Sequence, residues 1–353
     1  MKIPDKVAAI LDCEGPLATN DNAQESVVEF ALRCGLGAEV GTRFYQRMSV
    51  IDDLWGDHTL IQEDPHYSAG HTLKVVLPFL KAMGATSESL TQFAGESVRL
   101  VPGIGEVLPR LAKKYLTRII STSYRFFIDA FCGSIGFDPK WAYCTEVKGF
   151  DDIRISEREK GLLLRFMEKV ADMPVIEYDL GTGEILGVGH QRCFDEITGF
   201  VWKTIFAGME AGDFLRLVHP VGQRQKAETL FEISCREGLG RDRILYVGDS
   251  QTDVLCLQYI KGGGLSLVFN GKGMVCQYAD LMYAGEHAGI IEEVADRFSE
   301  VGRGKTLCFY ASGCMASGGG TVASVTAQNV KALEEASLIS RAKLRGDDIA
   351  ALT

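Results

Sequence analysis

Near the amino terminus the chain reads Val7-Ala8-Ala9-Ile10-Leu11-Asp12-Cys13-Glu14-Gly15-Pro16. Its apolar residues run without a break up to Leu11, the pattern of a short strand buried on both faces of a parallel sheet. Asp12 stands at the carboxyl end of that strand, a second acid follows at Glu14, and Gly15 can turn the chain. Ligands of open parallel sheets bind outside the carboxyl ends of the strands, so acids in that place point to chemistry. The plain alternative is a capped turn, since Asp and Gly are common there.

Working outward, three more runs read as buried strands: Arg118 to Ser121, Ile244 to Val247 and Leu265 to Phe269. Helical segments alternate with them. Pro102-Gly103 opens one through Lys113-Lys114, whose basic last turn suits the negative helix end. A second runs from Phe126 to Ile135, ending near Gly136. A third carries Ala227, Leu230, Phe231 and Ser234 on one stripe and closes at Gly238 and Gly240. Strands alternating with helices imply an α/β fold around a parallel, right-handed sheet.

Residues 20–95 read as helical with no strong strand. Residues 149–223 mix a helix at Glu157 to Ala171 with the glycine-rich Leu180-Gly181-Thr182-Gly183-Glu184 and read as an insertion. The tail from Lys305 holds Gly318-Gly319-Gly320 and a helix from Thr326 to Ser340, to which the sequence assigns no role. The expected division is a core of 1–19, 96–148 and 224–300, a helical cap of 20–95, an insertion or second cap of 149–223, and a C-terminal extension of 301–353. No repeat recurs at a fixed period.

At 353 residues, 46% hydrophobic and 24% charged, the chain is ordinary for a globular protein larger than one average domain. A net charge of −10 argues against a broad nucleic-acid footprint. The ten cysteines include no CxxC pair, which fits a reduced, cytoplasmic protein, and no run is long and apolar enough to span a membrane. Oligomeric state is not readable; an oligomer stays open.

Three further polar patches join Asp12 and Glu14. Ser121-Thr122-Ser123 follows the second strand, where a hydroxyl and N–H groups can hold phosphate oxygens, although Ser and Thr are also common helix caps. Lys226 begins the amphipathic helix, a locally unfavourable place that calls for an anionic partner. Gly248-Asp249-Ser250-Gln251-Thr252-Asp253 follows a third strand with acids four apart, hard oxygen donors that suit Mg²⁺. Two decoys are set aside. Gly302-Arg303-Gly304-Lys305-Thr306 lacks the first glycine and the preceding strand of a P-loop, and His58, His66 and His71 lack the spacing of a helical zinc site.

The four patches together resemble, in order and context, the haloacid dehalogenase superfamily, over Lys6 to Gly15, Pro102 to Asp138 and Gln225 to Ala279. The stretch from Ile120 to Phe127, Gly136-Phe137-Asp138, Lys226-Ala227-Glu228 and Asn270-Gly271-Lys272 are similar to phosphoserine phosphatases. The resemblance implies a Rossmann-like three-layer parallel sheet core with a helical cap inserted after the first strand. It implies Asp12 as nucleophile and metal ligand, Glu14 as general acid and base at the metal site, and Ser121, Thr122 and Lys226 as phosphate holders. Asp249 becomes a metal ligand, and Asp253 supports the metal or orients Lys226. Glu14 is a departure, standing where most members that are phosphatases carry Asp.

The function implied is Mg²⁺-dependent hydrolysis of a small phosphorylated metabolite through an aspartyl-phosphate. Arg43 and Arg47 of the cap, with His58, His66, His71 and Lys74, are candidate substrate contacts, the plain alternative being side chains that solvate a helix face. Two rivals stay open: phosphotransfer to an acceptor other than water, and a non-catalytic subunit. The second follows from a likeness to archaeal proteins described as a subunit of an energy-converting hydrogenase.

Overall fold

The computed structural model describes residues 7–59, 61–179 and 181–350. Lys6, at the edge of the first motif, and Leu180, in the glycine-rich segment, lie outside them. The strands are β1 (Ala8–Leu11), β2 (Leu116–Tyr124), β3 (Ala142–Thr145), β4 (Ile244–Gly248), β5 (Leu265–Phe269), β6 (Leu281–Ala284), β7 (Cys314–Met315) and β8 (Thr321–Ser324). They form one sheet in the order β3-β2-β1-β4-β5-β6-β8-β7. From β3 to β6 all neighbours are parallel, and β8 pairs antiparallel with β6 and β7.

The fold is the expected three-layer α/β sheet with helices inserted after the first strand. Register explains why the motifs meet. Leu11 lies opposite Ile119 on one side and Val247 on the other, so the residues that follow β1 and β4 and the last residues of β2 emerge at one level. Alternation along β1 divides the core: Ala9 and Leu11 face a cluster with helices α5 (Ile104–Lys114), α6 (Arg125–Ile135) and α13 (Gly289–Phe309). Ala8 and Ile10 face the opposite cluster, with α10 (Gln223–Glu237), α11 (Val254–Ile260) and part of α12 (Met274–Tyr278).

Strands β3, β6 and β8 have no counterpart in the sequence reading. Each is four residues long, too short for a pattern of period two to separate from a loop. The tail helix also begins later than the sequence suggests, at Val330, and runs to Arg345 as α14. Gly302 to Thr306 lies within α13, with Gly302 alone out of helical geometry.

The first insertion contains α1 (Asn22–Arg33), α2 (Ala38–Asp53), α3 (Thr72–Ala82) and α4 (Ser87–Ser97). The second contains α7 (Glu157–Asp172), α8 (Val188–Thr198) and α9 (Asp213–Leu217). Both contribute to one hydrophobic cluster, in which Phe44, Trp55 and Phe79 from the first meet Met167, Trp202 and Phe214 from the second. The Trp55 and Trp202 rings lie 5.5 Å apart edge to face, and Trp55 Nε1 donates to Thr198 Oγ1 at 3.0 Å. Two segments far apart in sequence thus share one apolar interior over the sheet.

Candidate active site

Asp12 leaves β1 with its N–H donated to Val247 O at 2.8 Å, which fixes it between two central strands. Its Oδ1 accepts from Cys13 N–H at 2.7 Å and its Oδ2 from Lys226 Nζ at 2.6 Å. The same ammonium donates to Asp253 Oδ1 at 2.9 Å. Lys226 is fully buried at the start of α10, so its place near a positive helix end is offset by two carboxylates. Burial works against its charge, but Asp12 and Asp253 outweigh burial and hold the ammonium well above the usual lysine range. For Asp12 burial is the larger influence and pushes the carboxyl up to about 7 against the pull of Lys226.

Asp253 also accepts from Tyr246 Oη–H at 2.7 Å, and its other oxygen accepts from Asp249 N–H at 3.0 Å and Ser250 N–H at 3.1 Å. Every oxygen of Asp253 is therefore spent on the lysine, the tyrosine and the turn. Asp12, Asp249 and Asp253 nonetheless form a buried group whose nearest oxygens lie within 4.8 Å of one another. Hard, anionic oxygen donors fit a small dication such as Mg²⁺. Asp12 and Asp249 are the pair suited to hold it, and Asp253 is better placed to orient Lys226.

Gly15 is required where the chain turns over Asp249. Its φ of +96° is a left-handed conformation, and a Cβ there would fall 2.3 Å from Asp249 Cγ. Glu14, one residue earlier, does not join the carboxylate group as a ligand. Its Oε1 accepts from the N–H and Nδ2 of Asn22, at 2.6 and 2.9 Å. Burial, then the charge of Asp21, push the Glu14 carboxyl up to about 8, against those bonds and Arg345. A carboxyl raised in this way is protonated at neutral pH and can donate a proton.

One cavity is lined by Asp12, Glu14, Ser121, Thr122 and Asp249, so the structure brings these five together. Ser121 Oγ donates to Ser123 Oγ at 3.0 Å, and Thr122 Oγ1 is buried without a hydrogen-bond partner among the described residues. Arg43 and Arg47 are not brought there. Arg43 pairs with Glu39 and Asp172, and Arg47 donates to Met173 O at 2.8 Å, so both fasten α2 to α7. Lys74 pairs with Asp64, and His71 lies against Ser68 and Gln225, joining cap and core.

Among the cavity-lining residues that the sequence reading did not single out are Asp21 and Tyr45 of the first insertion and Arg341 and Arg345 of α14. Arg341 Nη1 donates to Asp249 Oδ2 at 2.5 Å and Arg345 Nη1 to the same oxygen at 3.1 Å. Their spacing of four puts both on one helix face. That spacing was legible, but nothing in the sequence tied the face to residues some ninety positions earlier.

No protein-family model matches the chain, and a search of curated proteins finds no match. Among solved structures, a gene product of Archaeoglobus fulgidus is 25% identical and covers 97% of both chains with a TM-score of 0.76. A phosphoserine phosphatase in its apo form is 14% identical, over 82% of this chain and 98% of that one, with a TM-score of 0.45. A HAD family hydrolase from Salmonella enterica serovar Typhi is 12% identical, over 77% of this chain and 65% of that one, with a TM-score of 0.41. The other structural neighbours named are phosphoserine phosphatases and HAD family hydrolases. The likeness to the Archaeoglobus protein runs through the whole chain, so the fold is shared from β1 to the C-terminal helix. Among the described residues no helix is long and apolar enough to cross a membrane.

Proposed function

We propose that the protein is a phosphatase that hydrolyses a small phosphorylated metabolite through an aspartyl-phosphate on Asp12. The observation that carries the reading is the buried ammonium of Lys226 bridging Asp12 and Asp253 at the carboxyl ends of the central strands. A lysine fully enclosed beside the attacking carboxylate is a fixed positive charge next to the oxygen that would meet phosphorus.

In this mechanism Asp12 attacks phosphorus in line, forming an oxygen–phosphorus bond as the bond to the leaving alcohol breaks. Lys226 neutralises charge on the equatorial oxygens. The otherwise unpartnered Thr122 hydroxyl donates to a remaining one. Glu14, held by Asn22 and protonated at neutral pH, gives its proton to the leaving oxygen. It then takes one back from the water that hydrolyses the acyl-phosphate. Mg²⁺ held by Asp12 and Asp249 would add positive charge beside the transferred group.

The test is phosphate release from phosphorylated metabolites and para-nitrophenyl phosphate, with Mg²⁺ or with EDTA, comparing native protein with Asp12→Asn. Metal-dependent release that disappears in the variant is expected. Release that survives the substitution would overturn the assignment of the nucleophile, and no release from any compound would overturn the phosphatase reading.

A further inference from the structure

Asp249 is the carboxylate on which a bound dication would most depend, and two guanidinium groups already lie on one of its oxygens. Both side chains are almost wholly buried, at 4% and 5% exposure. Arg345 also donates through Nε to Thr19 O at 3.1 Å and through Nη2 to Asn20 O at 2.5 Å, tying the helix to the chain that leaves the first motif. Arg341 donates further to Asn270 O at 3.2 Å, while its Nε is buried with no hydrogen-bond partner among the described residues.

The way α14 is held is unusual for this protein. Its buried residues are Ser337 and Arg341, both polar, and its apolar contacts come from partly buried Val330, Leu333 and Leu344. Ile339 is 60% exposed and Leu338 39%. Other fastenings are hydrogen bonds: Ser337 Oγ to Gly271 O at 2.8 Å and Gly273 N–H to Glu334 Oε1 at 2.6 Å. The helix therefore docks by polar contacts centred on Asp249 rather than by an apolar stripe, and one buried donor stays unsatisfied when it docks.

Charge decides what those contacts oppose. Lys226, Arg341 and Arg345 all pair with Asp12, Asp249 and Asp253, so with the helix in place this carboxylate group is already faced by three cationic side chains. A dication added beside Asp249 would lie against two fixed guanidinium groups in a poorly screened interior, where like charges repel strongly. We propose that α14 serves as an internal cation for the site: Arg341 and Arg345 take the carboxylate that a divalent ion needs, so docking of the helix and binding of the ion oppose each other. This rests on the metal-dependent reading above and adds a regulator to it. Linkage requires the effect to be mutual: the ion loosens the helix, and loss of the arginines tightens the ion.

Amide hydrogen exchange of the unmodified protein, with and without Mg²⁺ alone, tests the first half. Severalfold faster exchange across residues 330–345 with the ion is expected; unchanged or slower exchange there overturns the proposal. Calorimetric Mg²⁺ titration of the native chain, Arg341→Gln, Arg345→Gln and Asp249→Asn tests the second half. Affinity about tenfold higher in either arginine variant is the expected outcome, within the usual range of such coupling. If the arginine variants bind as the native chain does while Asp249→Asn loses the ion, the opposition is wrong and the metal site stands. If neither the native chain nor the arginine variants bind Mg²⁺, the opposition and the metal reading both fall.

Discussion

The strand ends of the core and the helical layer above them are both closed to water, by opposite means. At the strand ends the enclosed groups are charged: Lys226 and Asp253 are wholly buried, with Asp12, Asp249 and Arg341 nearly so. In the helical layer they are aromatic and aliphatic, and Trp55, Tyr67 and Trp202 pack edge to face across two chain segments. Buried ions gain little net stability, because each leaves water at a cost that its partner only offsets. Apolar packing supplies stability outright. The groups gathered at the strand ends thus form a poorly stabilising ionic floor, and the apolar layer above them contributes the stability.

That contrast can be broken in graded steps. Asp12→Asn should reduce phosphate release by about a thousandfold or more while leaving the melting temperature close to native, since the single amide oxygen still accepts from one of the two donors and Asp253 still pairs with Lys226. A variant that melts much earlier would mean that Asp12 serves the fold more than the reaction. Lys226→Met strips the counter-charge from two buried carboxylates and should cost about 3–5 kcal/mol in denaturant titrations. Pairing it with Asp12→Asn should recover part of that loss. If the double variant is no better than the single one, the ionic account of the floor fails.

Trp202→Ala should also cost about 3–5 kcal/mol, through a cavity in the shared apolar cluster. Here partner substitutions in the carboxylates should recover nothing. An unfolding transition confined to the cap, read by exchange in both insertions together, would sharpen the view that they form one unit.

Smaller effects lie where the cover is polar. Burial raises the Asp64 carboxyl, but the nearby His71 ring and the paired Lys74 ammonium outweigh it and hold it well below the ordinary carboxylate range. A carboxyl depressed in the folded state contributes stability above its unfolded value of about 4 and loses it as pH falls below that. Native protein should therefore exceed Asp64→Asn in stability at pH 7, and the gap should shrink by pH 3. A gap that is constant with pH would show that packing, not ionisation, is responsible. Arg43→Ala, removing exposed pairs with Glu39 and Asp172, should cost less than about 1 kcal/mol and leave turnover unchanged. A marked loss of turnover would return Arg43 to the substrate.

The sequence by itself determined the parallel core and the groups at its strand ends. A buried parallel strand reads as an apolar run, and the acid that ends it is therefore conspicuous, as at Leu11-Asp12 and Gly248-Asp249; Ser121 to Ser123, expected to follow the second strand, lie within it, since β2 continues to Tyr124. Lys226 was legible for a related reason, since a lysine at a helix start needs an anion nearby. Short edge strands such as Ala142–Thr145 were not, because four residues hold too little pattern. Arg43 and Arg47 show the limit of composition: basic residues in a cap segment are as able to brace a neighbouring helix as to meet a substrate, and here they brace α7.

Only the tertiary structure decided three things. It joined the two insertions into one apolar cover, turned Glu14 toward Asn22 and away from the carboxylate group, and brought Arg341 and Arg345 onto Asp249. Each is a contact between groups far apart in sequence or a choice among rotamers. Local pattern carries no information about which distant surface a side chain will meet; that is fixed by the sheet order and by the docking of the last helix.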